Sequence, residues 1–130
     1  MVGWFNLAPM AAPQVTLVIP AAPEYLRLAR LASTDAASRA GLDYEEIDDL
    51  RMAVSELCHL LIGEGWPGSV TLSFSIDHDE ISVDGSTPGP VPPSAANDFA
   101  DLILDTVTDF HELVDEGDGR RFTVTKRRRA

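Results

Sequence analysis

Asp49–Ile62 reads DLRMAVSELCHLLI. Leu50, Val54, Leu57, Cys58 and Leu61 recur in steps of three and four, the period of a helix with one apolar face. Ile47 carries that stripe one turn further back. Asp43 and Glu46 supply the start signal, a D-x-x-E form of the capping box in which each side chain takes up a backbone N–H of the other. Gly63, Gly65, Pro67 and Gly68 end the helix in a loop around Trp66. One carboxylate, Glu56, stands inside the apolar run, and Leu60 follows it one turn later on the same side.

Outward from this helix the pattern changes period. Before it, Val15 to Ile19 is β-branched and apolar and reads as a strand ended by Pro20. Pro23 suits the first turn of a helix that runs to about Arg39, with Tyr25, Leu28, Ala29, Ala32 and Ala36 as its apolar face, and Gly41 stops it. After the central helix, Val70, Leu72, Phe74 and Ile76 alternate with Thr71, Ser73 and Ser75. Asp77-His78-Asp79-Glu80 turns the chain, and Ile81 and Val83 resume the alternation, so the pair predicts a hairpin with one solvated face. A proline-rich loop spans Gly85 to Asn97. A third helix is expected from Asp98, with Phe99, Leu102, Ile103, Val107, Phe110 and Val114 on its buried side. Glu116-Gly117-Asp118-Gly119 turns into a last strand, Phe122-Thr123-Val124. The expected organisation is a flexible arm over residues 1–14, one domain over 15–126 and a basic tail over 127–130. The fold class is α+β: a two-layer sandwich with helices on one face of a mixed, mostly antiparallel sheet.

The chain has 130 residues, 45% of them hydrophobic, enough for a single domain that needs no covalent staple. Its one cysteine, Cys58, cannot form an internal disulfide. No apolar run approaches the ~20 residues of a membrane-spanning helix, and MVGWFNLAPM lacks the basic start of a signal peptide, so the expected compartment is the cytoplasm. Residues 1–119 hold 21 acidic side chains against four basic ones (Arg27, Arg30, Arg39, Arg51), a formal charge of −17. Such a body repels nucleic acid and attracts basic proteins, although solubility alone accounts for it equally well. The run Lys126 to Arg129 reads as a short frayed basic terminus. Cys58, His59 and His78 lack the spacing of a metal site, and Asp77, Asp79 and Glu80 lack that of a calcium loop, so no metal site is expected. Trp66 serves either as an exposed anchor for a partner or as a cap on the core.

The element order, with VTLVIPAAPEYLRLAR ahead of YEEIDDLRMAVSELCHLLI and FTVTKR at the close, resembles the histidine-kinase-like (GHKL, or Bergerat) ATPase fold. More narrowly it resembles the anti-sigma factor serine kinases of the RsbW and SpoIIAB type, over roughly Val15 to Arg127. The resemblance implies a general base at Glu56 and, four residues on, an amide that binds magnesium, where this chain has Leu60. An alkyl group has no lone pair for a hard cation. It also implies an adenine-reading aspartate at the position of Gly85; Asp84 is one residue early and faces the other side of its strand. The proline-glycine pair of the family matches Pro88-Gly89, so Gly85, Pro88 and Gly89 form the candidate remnant of a nucleotide site. Where the family has a glycine-rich phosphate lid, this chain has Pro90, Pro92 and Pro93, which offer no N–H.

The resemblance therefore implies a regulatory protein of bacterial stress transcription that binds a sigma factor, a STAS-domain anti-sigma antagonist, or both, with its ATP site lost. The reading leans against catalysis and expects no cofactor. The alternative is a working serine kinase that phosphorylates the STAS-domain antagonist and uses ATP and magnesium. Homodimer and partner contacts are implied on the helix from Tyr25 to Arg39, with no direct contact to nucleic acid or membrane.

Overall fold

A computed structural model describes residues 13–63, 68–91 and 98–129. Trp66, the arm over residues 1–12 and the loop prolines Pro92 and Pro93 lie outside the described residues. Strand β1 (Gln14–Pro20) leads through a 3-10 turn at Pro23–Tyr25 into helix α1 (Leu26–Arg39). Helix α2 (Tyr44–Ile62), the hairpin β2 (Ser69–Asp77) and β3 (Glu80–Thr87), helix α3 (Asp98–Val107) and the hairpin β4 (Phe110–Glu116) and β5 (Gly119–Arg127) follow. The strands form one five-stranded sheet in the order β1-β2-β3-β5-β4, antiparallel at every pairing. The helices cover one face of it, as the α+β reading expects.

Helix α2 is the centre of the core. Leu50, Ala53, Val54, Leu57, Cys58 and Leu61 are all fully buried, against Val70, Leu72 and Phe74 of β2, Ile81 and Val83 of β3 and Phe122 and Val124 of β5. Its capping box is complete: the Glu46 N–H donates to Asp43 Oδ1 and the Asp43 N–H donates to Glu46 Oε1, each at 2.8 Å. Gly41, at φ +88, takes the left-handed turn that separates α1 from α2.

Three sequence readings need correction. The buried face of α1 is Leu26, Ala29, Ser33, Ala36 and Ala37, while Tyr25 and Leu28 are 40% and 47% exposed. The tighter 3-10 turn places Tyr25 before the α-helix proper, and the small residues let α1 lie close against α2. Ser33 is tolerated inside because its hydroxyl donates to the Ala29 carbonyl at 2.7 Å.

The third helix ends at Val107, and Phe110 and Val114 belong to β4, not to the helix. Positions four apart share a face in a strand as well as in a helix, so those two residues fit either period. Thr108 closes the helix, its N–H and hydroxyl both donating to the Leu104 carbonyl, and the Asp109 N–H then donates to Thr125 O and joins the sheet. The last strand is correspondingly longer than Phe122–Val124, because it must pair with both β3 and β4.

The basic run is docked, not frayed. Lys126 Nζ lies 3.2 Å from Asp49, Arg127 Nε 2.7 Å from Glu80 and Arg128 Nη1 3.0 Å from Asp79. The Arg129 N–H donates to Glu46, and its guanidinium reaches Glu45 at 3.4 Å. The acids of the β2–β3 tip and the start of α2 thus hold the chain's own cations.

Burial, the strongest influence on the 1%-exposed Glu46, raises its pKa. Hydrogen bonds from the Asp43 and Arg129 backbones and the Arg129 charge together outweigh it and hold the carboxyl below its ordinary value. A depressed folded-state pKa stabilises above the ordinary glutamate range, and that stability is lost as pH falls through the folded value. Glu46→Gln should therefore be less stable than the parent at pH 7, with the difference shrinking as denaturation is repeated at falling pH. Asp43→Ala should cost about 1 kcal/mol at neutral pH.

Candidate functional site

The residues that the sequence singles out lie on two elements, α2 and the end of β3, and Arg120 of β5 links them: it pairs with Thr87 of β3 and bonds to the Leu60 carbonyl of α2. On α2, Glu56 is half-buried, His59 is exposed and Leu60 is 8% exposed. Among the described residues the Glu56 side chain makes no hydrogen bond or ion pair. Cys58 points into the core, where burial pushes its thiol up to about 12, so it is neither a nucleophile nor a metal ligand at neutral pH.

Strand parity decides what β3 presents. Ile81, Val83, Gly85 and Thr87 face the helices and are buried; Ser82, Asp84 and Ser86 face away. Asp84 is engaged on that outer face, accepting from Thr123 Oγ1 at 2.6 Å and from Arg121 at 3.3 Å. Gly85 pairs directly with Phe122 of β5. A Cβ on Gly85 would lie 2.3 Å from Phe122 Cε2 and 2.5 Å from its Cζ. The phenyl ring occupies the volume into which any side chain at position 85 would grow.

Two residues on, Thr87 pairs with Arg120, and both are buried. Arg120 Nε donates to Asp115 at 2.7 Å and Nη1 donates to the Leu60 carbonyl at 2.8 Å. A fixed cation at the carboxyl end of a helix satisfies an orphan carbonyl and meets the negative end of the helix dipole. Among the described residues the buried Thr87 hydroxyl has no hydrogen-bond partner. Pro88 and Gly89 lie against the β4–β5 turn: Gly89 has φ +83, and a Cβ on it would stand 1.8 Å from the Asp118 carbonyl oxygen. That approach leaves room only for glycine.

Gly85 lies in β3, with Pro88 and Gly89 just after it, and Arg120 ties this end of the strand to Leu60 of α2. The structure adds Thr87, Arg120 and Phe122, which the sequence reading did not single out. The alternation Arg120, Phe122, Val124, Lys126 was the available signal, since it sets all four on one face of a strand. Beside this region a cavity of about 300 Å³ opens between α2, α3 and β4, with Leu57, Leu60, Leu104 and Leu113 in its lining.

A family model for the histidine kinase-like ATPase domain matches residues 19–120. The chain belongs to that family. It is 43% identical over 75 residues to the serine-protein kinase RsbW of Listeria monocytogenes, a stretch covering 54% of this chain and 47% of the relative. It is 36% identical over 76 residues to the protein of the same name from Bacillus subtilis, covering 55% and 48%. It is 40% identical over 75 residues to that of Bacillus pumilus, covering 53% and 46%. The matches span about half the length of these relatives. Over these stretches the chain is similar to serine-protein kinases of the RsbW type, the narrower resemblance read from the sequence. Among the described residues no helix is long and apolar enough to cross a membrane.

Gly85→Asp, which installs the acid implied by the family pattern, should collide with Phe122 and cost about 1–3 kcal/mol, the usual penalty for overfilling a packed interior. Thermal denaturation of the variant measures this directly.

Proposed function

We propose that this chain is an anti-sigma-type regulatory binding protein in which the nucleotide site of the family no longer takes ATP. The observation that carries the reading is the Phe122 ring against Gly85: the adenine-reading position has no carboxylate and no space for one. Two further features support it. Leu60 offers a magnesium ion no ligand one turn after Glu56. Pro90 stands where a phosphate lid would present backbone N–H groups. The residues present do not fit a magnesium–nucleotide complex, and no chemical step is derived through one. Glu56 remains as a half-buried carboxylate at the mouth of the former site, and Gly85, Pro88 and Gly89 as its floor.

In this reading the protein works by occupancy. It holds a sigma factor, a STAS-domain antagonist, or each in turn, and partner exchange replaces phosphorylation as the switch. An acidic body suits sigma factors, whose DNA-contacting surfaces are basic, because long-range attraction raises the rate of encounter. Tyr25, Leu28 and Leu31, 40%, 47% and 57% exposed on and before α1, form an apolar surface where such contacts, or a homodimer, would form. The domain proper runs over residues 15–126, and the cytoplasm is its compartment.

The second reading, a working serine kinase acting on the antagonist, is favoured by the names of the relatives and by the retained Glu56. Isothermal titration with ATP and magnesium separates the two. Our reading expects no binding heat at millimolar nucleotide; micromolar affinity with phosphate transfer to a STAS-domain protein would replace it with the kinase. Retention of a sigma factor or STAS-domain protein from the native cytoplasm is expected in either case, and retention of neither would defeat both.

A further inference from the structure

The closing run Lys126 to Arg129 divides at the end of β5. Lys126 and Arg127 belong to the strand. Lys126 Nζ, on a side chain only 10% exposed, reaches Asp49 at 3.2 Å and the Val107 carbonyl at 3.0 Å, and the Arg127 N–H donates to Asp109 at 2.7 Å. Arg128 and Arg129 lie beyond the strand. The Arg128 N–H donates to the Asp79 carbonyl at 2.8 Å and its guanidinium to the Asp79 carboxylate at 3.0 Å. The Arg129 N–H donates to Glu46 Oε2, and its guanidinium lies 3.4 Å from Glu45 and 3.5 Å from Glu46. These two arginine side chains are 51% and 61% exposed. An ion pair so exposed shifts an equilibrium by about fivefold or less, so Arg128 and Arg129 are the part of the run that can leave. Lys126 cannot follow without stripping the Val107 carbonyl of its partner at the end of α3.

The seat beneath them is held by other bonds. Glu46 Oε1 is fixed by the Asp43 N–H in the capping box of α2. The Asp79 N–H donates to the Ala40 carbonyl at 3.1 Å, which pins the β2–β3 tip to the end of α1, and the Asp79 carboxylate also meets His78 at 3.3 Å. With the two arginines gone, Glu45, Glu46 and Asp79 lose their guanidinium partners together, and Glu46 Oε2 loses a backbone donor. A metal ion would return charge but no N–H to Glu46. An extended segment with consecutive basic residues returns both, as the chain's own segment already does.

We propose that Arg128 and Arg129 form a displaceable clasp over a docking seat made by Glu45, Glu46 and Asp79, and that an extended segment of a partner protein with two consecutive basic residues binds there by taking the place of the clasp. The occupant is chosen by what the seat already holds: two backbone N–H groups and two guanidinium groups in sequence. The clasp also sets a threshold. A lone basic residue competes poorly with it, whereas a run that reproduces both charges and both backbone bonds exchanges with it on equal terms. The proposal stands whether or not the chain binds a sigma factor.

The test uses the full chain and a fluorescein-labelled peptide of the chain's own residues 124–129, VTKRRR, read by fluorescence anisotropy at low salt. The double variant Arg128→Ala with Arg129→Pro removes both charges and the N–H that Glu46 accepts. It should bind the peptide about tenfold or more tightly than the parent, with the gain fading as salt rises. Arg39→Ala with Arg51→Ala removes the same charge from exposed ion pairs elsewhere and should give no such gain. Glu45→Gln and Asp79→Asn, added to the opened variant, should abolish it. In the parent, where no variant has to fold, hydrogen exchange at the Arg129 amide should accelerate several-fold when unlabelled peptide is added. Equal affinity of the parent and the opened variant, the same gain in the Arg39 and Arg51 variant, a gain that survives Glu45→Gln and Asp79→Asn, or unchanged exchange at Arg129 would each overturn the proposal. So would sedimentation showing a dimer of the parent that the opened variant dissolves, since the occupant would then be the clasp of a second copy.

Discussion

The Phe122 ring against the bare backbone of Gly85 is the constraint from which the rest of the site follows. Position 85 must be glycine because an aromatic side chain from the paired strand fills its side of the sheet. With that volume taken by protein, the end of the sheet is held by internal bonds: Arg120 joins the last turn of α2 to β4 through the Leu60 carbonyl and Asp115. Pro88 and Gly89 close down on the β4–β5 turn. A buried cation bonded to Asp115 and to the Leu60 carbonyl is costly to desolvate but well compensated, and it ties three elements together. The chain's own groups brace this corner.

Charge has a parallel division of labour. The body is strongly acidic, yet a good part of that charge is neutralised from within by the closing segment of β5 and the residues after it. Glu46 shows how tightly: it caps α2, accepts the Arg129 N–H and stays ionised while 1% exposed. On α3 and β4, Asp115 meets Arg120, Glu116 meets Arg121 and Asp105 meets His111.

Most of the fold was legible in the sequence because its centre is periodic. The α2 stripe, the Asp43–Glu46 box and the β2–β3 alternation each follow from residue spacing alone, and the structure carries them, except that β3 runs on through Gly85 to Thr87, where the sequence predicts a loop, because β5 pairs with it there. The errors have specific causes. Phe110 and Val114 sit four apart, a spacing that helix and strand share, so β4 was absorbed into the preceding helix. The face of α1 rotated because a 3-10 turn shifted its phase and alanine gave little signal to set it. Lys126 to Arg129 looked like a frayed terminus because their partners, Asp49, Glu80, Asp79 and Glu45, are distant in sequence. For the site, parity alone set Gly85 on the inner face and Asp84 on the outer. The ring that fills the place of a side chain at 85, and the arginine that bonds to Leu60, depend on a β3–β5 pairing that no local pattern reveals.

The central claim is that protein groups, not a ligand, occupy the end of the sheet beneath α2. The most direct measurement is a crystal of the chain soaked in ATP and magnesium. The account predicts density for the Phe122 ring packed on Gly85 and the Arg120 guanidinium on the Leu60 carbonyl, with no ordered nucleotide beside α2. An adenine seated against Gly85, with a metal bridging its phosphates near Glu56 and Phe122 swung aside, would contradict it.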